Sequence, residues 1–425
     1  MIVTNKWPVV RLSTLAIDKK GAIAGGPFGS DLVSRDYVAS GVPVIRGGNL
    51  TNHAKFSFDD LVFVTENKAD THRLNCAYPG DLVFTQRGTL GQVGLLPKNS
   101  PYARFLISQS QMKMTVDPGR ADSLYLYNYF RLPSTVSYIE NHALQSGVPH
   151  INLGILKKLQ IICPPLSVQK KIAAILSAYD DLIENNQRRI ALLEKMAEEI
   201  YREWFVRLRF PGHEKVRFFK GVPQGWRPSC LGNIAKFTMG QSPSSEFYNE
   251  VGNGLPFHQG VGTYGERFPR TVTYCSEDGR RAHSGDILFS VRAPVGRLNI
   301  ADQEMIIGRG LAAIRHKKEH NSYLYYLLKT AFANEDIIGN GSIFNSVGKD
   351  ELAKFPVFEP EPSLVERFDA MVSKIDKQIT MLMQATECSK SSRDALLPRL
   401  ISGKLSVEDL DIQLPTSMEE AAHAI

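Results

Sequence analysis

Two stretches of the chain carry apolar residues at alternating steps of three and four, and each follows a break marked by prolines. The first stretch follows Pro164-Pro165 and the second follows Pro360 and Pro362. Apolar residues at this spacing are the a and d positions of heptads, which form a seam for a partner helix. The pattern predicts two long helices with the pairing positions Leu176, Tyr179, Ile183, Asn186, Ile190, Leu193, Ile200, Val365, Phe368, Val372, Ile375, Ile379 and Leu382.

The first predicted helix runs from about Ser167 to Phe205, and Ser167 can cap its start. If the two helices pair antiparallel, they bury both seams against each other and hold the preceding segments at the two ends of a rod, related by a pseudo-twofold axis. Asn186, the polar residue within the first seam, would then set the register. The alternative is that each helix packs on its own globular segment.

The segments before the two helices have a different pattern. Short apolar runs such as Leu82-Val-Phe84 and Ile287-Leu-Phe289 alternate with Gly, Pro, Asn and Asp. This alternation is typical of short strands joined by turns. We therefore expect an α+β fold, with two similar mixed α/β domains separated by a pair of long antiparallel helices that form a coiled coil.

The order of motifs predicts that the chain is an internal repeat of about 200 residues. Matching positions in the two halves are Trp7 and Trp226, Gly41 and Gly254, Gly80-Asp81 and Gly285-Asp286, and Tyr125 and Tyr323. The separation falls along the chain from 219 to 213, 205 and 198 residues, as small deletions in loops would produce. Chance does not readily give so many matches in one order, so the pattern favours a duplication.

The repeat and the helices together predict five segments. They are a first recognition domain at 1–163, a first helical region at 164–206, a second recognition domain at 207–359, a second helical region at 360–410 and a tail at 411–425.

Composition narrows the class of protein. Of the 425 residues, 43% are hydrophobic and 22% are charged, as in an ordinary globular protein, and the net charge of +6 permits an anionic partner without demanding one. The scattered cysteines indicate reduced thiols rather than a zinc ribbon; they are Cys76, Cys163, Cys230, Cys275 and Cys388. The sequence shows neither a secretory leader nor a run of the roughly 20 apolar residues of a membrane span. We expect a cytoplasmic protein with no membrane partner.

Two motifs resemble catalytic signatures. His316-Lys-Lys-Glu319-His320 fits a zinc-hydrolase pattern, and Gly260-Val-Gly262-Thr-Tyr-Gly265 fits a dinucleotide-binding pattern. The first lies between an apolar run and the cap of a predicted helix, which indicates a turn rather than a metal-binding helix. The second is followed by Pro269, which interrupts the helix that a dinucleotide site needs. We therefore expect no catalytic residue and no metal in this chain, and keep a metal hydrolase as an alternative.

Polar residues suited to reading base edges cluster in glycine-rich loops of both halves. Arginine pairs with guanine and asparagine or glutamine with adenine, so two similar but non-identical modules are suited to two different half-sites on one duplex. The candidate DNA-binding residues are Arg46, Asn49, Gln86, Arg87, Thr89, Gln109, Gln111, His258, Gln259, Arg292 and Arg309. Candidates for phosphate contacts are Lys55, Lys98, Arg104, Arg267, Arg270, Arg280 and Arg281.

Five segments give the chain a family resemblance. They are GGPFGS (25–30), GVPVIRGGNL (41–50), PGDLVFTQRGTLG (79–91), CPPLSVQKKIAAILSAYDDLIE (163–184) and LLPRLISGKL (396–405). The chain resembles the specificity subunit of type I restriction–modification systems over nearly its whole length. The resemblance lies in these motifs, in their order along the chain and in the duplication of the module.

The resemblance implies two target-recognition domains that bind an asymmetric bipartite DNA sequence. It implies two modification subunits that carry S-adenosylmethionine and methylate adenine N6, and restriction subunits that use ATP and Mg²⁺. The chain itself would be non-catalytic and hold no cofactor. The second module departs from the first, with Ala293-Pro294 in place of Gly88-Thr89 and His258-Gln259 in place of Ile45-Arg46. The two modules are therefore expected to read different bases.

A second class of function fits the same pattern. A coiled-coil scaffold whose two modules bind proteins would also need a duplicated module and paired helices. Sequence-specific DNA binding distinguishes the two.

Overall fold

The computed structural model describes residues 7–51, 54–143, 149–333, 337–338, 342–343 and 346–414. The chain divides into two compact units, one formed by Met1–Gln187 with Gln384–Ile425 and the other by Arg188–Met383. Each unit contains one globular module together with parts of both long helices.

The first unit is built on two four-stranded sheets. Its strands are β1 (Val9–Arg11), β2 (Ile23–Gly25), β3 (Val42–Ile45), β4 (Val62–Val64), β5 (Cys76–Ala77), β6 (Leu82–Thr85), β7 (Val93–Leu95), β8 (Phe105–Ile107), β9 (Gln111–Met114) and β10 (Gln160–Ile162). Its helices are α1 (Glu66–Thr71), α2 (Ser123–Phe130), α3 (Pro133–Asn141), α4 (Leu153–Lys158) and the start of α5 (Leu166–Tyr201). The sheet orders are β2-β9-β6-β7 and β4-β3-β8-β5, and β1 pairs with β10.

The second unit repeats this arrangement. Its strands are β11 (Phe218–Phe219), β12 (Val222–Pro223), β13 (Arg227–Cys230), β14 (Ala235–Met239), β15 (Tyr248–Asn249), β16 (Leu255–His258), β17 (Thr273–Cys275), β18 (Arg281–Ala282), β19 (Ile287–Ser290), β20 (Leu298–Ile300), β21 (Met305–Ile307), β22 (Leu311–His316), β23 (Ile337–Ile338), β24 (Ser342–Ile343) and β25 (Pro356–Glu359). Its helices are α6 (Leu231–Ile234), α7 (Asn321–Ala331), α8 (Lys349–Ala353) and the start of α9 (Pro362–Ile401). The sheet orders are β14-β22-β19-β20 and β15-β17-β16-β21-β18, and β13 pairs with β25.

Strand pairing confirms the predicted duplication. In the first unit β3 runs parallel to β8 with Val44 opposite Leu106, and in the second β16 runs parallel to β21 with Phe257 opposite Ile306. Each of the other pairings in the two four-stranded sheets of the first unit also has a counterpart in the second unit, where β15 adds a fifth strand to one sheet. The predicted strands around Leu82 and Ile287 are the equivalent β6 and β19, and all four residues of each are buried.

The repeated Gly-Asp motif forms the turn before these two strands. Gly80 and Gly285 have φ values of 92° and 83°, a region that favours glycine. The next residue turns its carboxylate back, so that Asp81 accepts the backbone N–H of Tyr78 at 3.0 Å and Asp286 accepts that of His283 at 2.7 Å. The motif is therefore repeated because both modules need the same turn.

The two long helices run antiparallel within each unit. In the second unit, Tyr201 near the end of α5 lies 5.8 Å, between ring centroids, from Phe368 near the start of α9. In the first unit, Arg393 of α9 donates a 2.7 Å hydrogen bond to Asp180 of α5, whereas Lys171, earlier in α5, donates to the backbone carbonyl of Glu408 beyond the end of α9. All thirteen predicted pairing positions are buried or half-buried. The predicted antiparallel pairing is confirmed.

The seams also pack on the globular modules, as the alternative expected. The core that holds Ile190 of α5 and Val372 of α9 also contains Phe289 and Tyr323 of the second module. The α-helical part of α5 ends at Tyr201, and one π turn over Arg202–Val206 follows it. The helical segment therefore ends close to the predicted position. None of the helices in the described ranges combines the length and apolarity that a membrane span requires.

Candidate nucleic-acid interface

Three of the predicted loops of the first module meet at one edge of its sheets. The parallel strands β3 and β8 end together, and Ser108 donates its backbone N–H to the carbonyl of Ile45 at 2.9 Å. The strand β6 ends beside the start of β9, and Gln86 donates its backbone N–H to Ser110 at 2.8 Å. The loops that begin at Arg46, Gln86 and Ser108 therefore form one surface.

The second module brings its equivalent loops together with the same hydrogen bonds. Gly308 donates its backbone N–H to the carbonyl of His258 at 2.9 Å, and Val291 donates to Gly310 at 2.9 Å. The loops that contain Gln259, Arg292 and Arg309 therefore correspond to the three loops of the first module.

A fourth loop, outside the predicted base-reading loops, packs against each cluster through a glycine. A Cβ atom on Gly26 would lie 2.0 Å from the carbonyl oxygen of Ser108, and one on Gly240 would lie 2.1 Å from that of Gly308. Only glycine permits this close approach of two backbones. Gly26 and Gly240 are 214 residues apart, a separation that fits the repeat and could have identified them.

Most of the predicted base-reading side chains are exposed at these two clusters. Those exposed in the first module are Arg87, Thr89 and Gln109, and those exposed in the second are Gln259, Arg292 and Arg309. Gln86 is half-buried. The Gln259 side chain is oriented by Ser242, whose hydroxyl donates to Oε1 of Gln259 at 2.9 Å.

Three predicted readers are buried and engaged within their own loops. Asn49 donates to the carbonyls of Ser57 and Asp59 at 3.1 and 2.9 Å. Gln111 is hydrogen-bonded to Ser108. Base contact by these residues stays a prediction, and in this structure none of the buried side chains is presented to solvent.

His258 is the third buried reader. Its Nδ1 lies 2.9 Å from the hydroxyl of Thr263. Burial lowers the pKa of His258 to about 4, so the ring is neutral near pH 7. A neutral ring held by Thr263 supports the loop that carries Gln259.

Arg46 lies in a cleft of the first module. The cleft has a volume of about 520 Å³ and is lined by Arg46, Gly48, Asn49, Thr51, Ser57, Asp59 and Asp60. The Arg46 guanidinium is half-buried and donates to the backbone carbonyl of Asp60 at 2.5 Å. One of its N–H groups is therefore engaged by the backbone of its own module.

The prediction that Arg267 contacts phosphate is wrong. Arg267 is 2% exposed, its guanidinium lies 2.6 Å from the carboxylate of Asp376, and its charged carbon lies 4.9 Å from the ring centre of Tyr325. A buried, paired guanidinium cannot reach a bound duplex, and the residue instead fastens the second module to α9.

The other candidates for phosphate contacts differ in whether their charge is already paired with an acidic side chain. Lys55 forms a 2.9 Å ion pair with Asp181, and Arg104 pairs with Glu66 and Asp70 of α1. Arg270 and Arg280 are exposed. Arg270 and Arg280 are therefore better placed for electrostatic contact with a phosphate.

The two catalytic-looking motifs occupy structural positions. His316 ends the strand β22 and is buried, contrary to the expectation that the whole motif lies in a turn, and its Nδ1 accepts the backbone N–H groups of Lys318 and His320. Within the described part of the chain, no three or more His, Cys, Asp or Glu side chains are grouped to hold a metal ion. The glycine motif 260–265 follows β16 and contains a single 3-10 turn, Val261–Thr263, in place of the helix that a dinucleotide site needs.

Comparisons with known proteins agree with this architecture. The family described as the type I restriction modification DNA specificity domain matches residues 14–195 and 223–380. The putative type I restriction enzyme MjaX specificity subunit of Methanocaldococcus jannaschii is 30% identical over 386 residues, which cover 87% of this chain and 88% of that protein. The MjaIX specificity subunit of the same organism is 26% identical and covers 96% and 95% of the two chains.

A solved structure shows the same fold. The type I restriction–modification S subunit from M. genitalium matches with a TM-score of 0.62 and 18% identity, over 94% of this chain and 96% of that one. The family matches both halves of the chain, in agreement with the duplicated modules. The chain belongs to the family of type I restriction–modification specificity subunits.

Proposed function

We propose that this chain binds an asymmetric bipartite DNA sequence, with one half-site for each module, and positions modification and restriction subunits on it without catalysing a reaction itself. The observation that carries the proposal is the pair of equivalent loop clusters with different exposed side chains. At equivalent positions the two clusters present different donor and acceptor groups, since Gln109 corresponds to Arg309 and Thr89 corresponds to Pro294. Two such surfaces suit two different half-sites.

The exposed loop residues are assigned to base contact and the buried ones to loop support. Arg87 and Arg292 occupy equivalent positions after β6 and β19, and both side chains are exposed. A guanidinium can donate two hydrogen bonds to guanine, so each arginine is suited to a guanine in its own half-site. Arg270 and Arg280 are assigned to phosphate contacts, which add affinity but no sequence information.

Membership of the family supports the following assignment of partners. We place S-adenosylmethionine on two modification subunits, and ATP and Mg²⁺ on restriction subunits, with this chain holding no cofactor. The recognition domains would comprise 1–163 and 207–359, the helical regions 164–206 and 360–410, and the tail 411–425. We place the complex and its DNA in the cytoplasm.

The test is to map methylated adenines in cells that express the modification subunits with and without this chain. The expected result is one bipartite motif, methylated only when the chain is present. Duplexes with the motif and with scrambled half-sites are then compared as competitors for the purified complex at several salt concentrations. A complex with no sequence preference would contradict the proposal and would favour the protein-binding scaffold.

A further inference from the structure

One aromatic side chain beside the first loop cluster is almost fully exposed. Phe28 is 82% exposed and lies in the segment Gly25-Gly-Pro-Phe-Gly-Ser30. An isolated exposed phenyl ring is not unusual on a protein surface. The position and support of this ring are what distinguish it.

The loop that carries Phe28 is anchored on both sides. Gly25 accepts a 2.6 Å hydrogen bond from the side chain of Asn75, and Gly26 donates its backbone N–H to Gln111 at 3.0 Å. Pro27 is buried before Phe28, and Leu32 is buried after it at 6% exposure. After Phe28, the backbone N–H of Asp31 donates to the Phe28 carbonyl at 3.0 Å, so the exposed ring lies between two anchored stretches of backbone.

The anchored loop lies directly against the candidate base readers. The position of a Cβ on Gly26 is 2.7 Å from the backbone nitrogen of Gln109, whose side chain is exposed. Phe28 follows Gly26 by two residues, and its side chain has a reach similar to that of glutamine. Consecutive Cα atoms are about 3.8 Å apart, so the Phe28 Cα lies within about 8 Å of that of Gly26, and a duplex in contact with Gln109 comes close to the exposed ring.

The second module has a polar group at the equivalent place. Gly240 corresponds to Gly26, so Ser242 corresponds to Phe28. The Ser242 hydroxyl donates to Gln259 and accepts the backbone N–H of Arg309. The apolar group is therefore a property of the first module and does not follow from the shared fold.

We propose that the Phe28 ring contacts the 5-methyl group of a thymine in the half-site bound by the first module and so selects thymine at that position. Thymine is the base that offers an apolar group in the major groove, where arginine and glutamine also read base edges. The inference rests on the proposed function, since it requires that the chain bind DNA.

The test uses the assembled complex and the motif found by methylation mapping. Each thymine of both half-sites is replaced in turn by deoxyuridine, which lacks only the methyl group, and affinities are compared for the wild-type chain and for Phe28→Ala. At one position of one half-site, the replacement is expected to weaken wild-type binding about fourfold, as for the loss of one buried methyl group. The same replacement is expected to leave the Phe28→Ala complex unchanged. Phe28→Leu is expected to retain part of the effect.

Phe219→Ala is the matched control, because Phe219 is also an exposed aromatic residue, at 77%, on the β11–β12 hairpin. It is expected to leave the thymine preference intact. The inference would be overturned if, at every thymine, deoxyuridine weakened binding equally for the wild-type chain and for Phe28→Ala. A loss of subunit assembly in Phe28→Ala would also overturn it. Absence of any methylation motif would instead contradict the proposed function, so the two failures are distinguishable.

Discussion

The guanidinium of Arg267 lies 2.6 Å from the carboxylate of Asp376, and both groups belong to the unit that contains the second module. Arg267 lies between β16 and β17, in the segment that also carries Gln259, whereas Asp376 lies on the helix α9. Ser322 and Tyr326 of α7 also donate to this carboxylate. A single half-buried acid therefore joins the loop region, α7 and the long helix.

Replacing Asp376 with asparagine is expected to destabilise the chain, because the buried Arg267 charge would keep only its longer, 3.6 Å ion pair with Glu194. Breaking a buried pair completely costs about 3–5 kcal/mol, which sets the upper limit of the expected loss. The free energy of unfolding in urea measures the effect. The control Glu304→Gln removes a carboxylate from the exposed Arg281 and should cost at most about 1 kcal/mol. Equal losses in the two variants would show that burial of Arg267 does not matter.

Adding a methyl group at Gly26 is expected to disturb the first loop cluster. In Gly26→Ala the new Cβ would meet the Ser108 carbonyl at 2.0 Å, and such overpacking costs about 1–3 kcal/mol. Methylation mapping should show weakened preference for one half-site only, and Gly240→Ala should weaken the other. Gly48→Ala is the matched control, because nothing lies within 4 Å of its added Cβ. Identical motifs in Gly26→Ala and Gly48→Ala would argue against the loop contact.

Stability is expected to fall as the pH decreases below about 6.5, in part because of His258. Burial lowers the pKa of His258 in the folded chain to about 4, whereas an exposed histidine has a pKa near 6.5. Between these values the unfolded chain binds a proton that the folded chain does not. The contribution of the histidine is therefore complete above pH 6.5 and is lost toward pH 4, with a slope of at most about 1.4 kcal/mol per pH unit.

His316 adds a similar dependence, since burial, with His320 and Lys318 nearby, lowers its pKa to about 4. Urea unfolding at pH 7.5, 6.5 and 5.5 measures the slope. His258→Gln should flatten it, whereas Gln259→Ala, which removes no titratable group, should not. A slope in His258→Gln equal to that of the wild type would contradict the assignment.

Arg292→Ala is expected to relax base preference at one half-site while leaving the other unchanged. A bidentate contact between arginine and a base discriminates by about 1–3 kcal/mol, so the loss is concentrated at one base pair. Arg280→Ala is the comparison, because removing a phosphate contact weakens all sequences alike and lowers the salt dependence. Competition binding with single-base variants measures both. A uniform loss in Arg292→Ala would assign Arg292 to phosphate instead.

The parts of the fold that repeat were predictable from the sequence, and the parts set by tertiary contacts were not. The spacing of Leu176, Ile183 and Ile190 already specifies one helical face. Nothing local distinguishes Arg267, which is buried beside Asp376, from Arg270, which is exposed. In the same way, Asn49 looks like a base reader in a glycine-rich loop, and only the fold shows its amide tied to the Asp59 carbonyl.

The preferred spacer between half-sites is expected to depend on the length of the paired helices. Deleting seven residues from α5 beside Gln187 and seven from α9 beside Met383 nearly preserves the helical faces, and shortens each helix by about 10 Å at 1.5 Å per residue. At about 3.4 Å per base pair this corresponds to a spacer about three base pairs shorter. Methylation mapping on duplexes with graded spacers measures the shift. The control removes residues 419–425 and should leave the spacer unchanged, whereas an unchanged spacer in the helix variant would show that the helices do not set the distance.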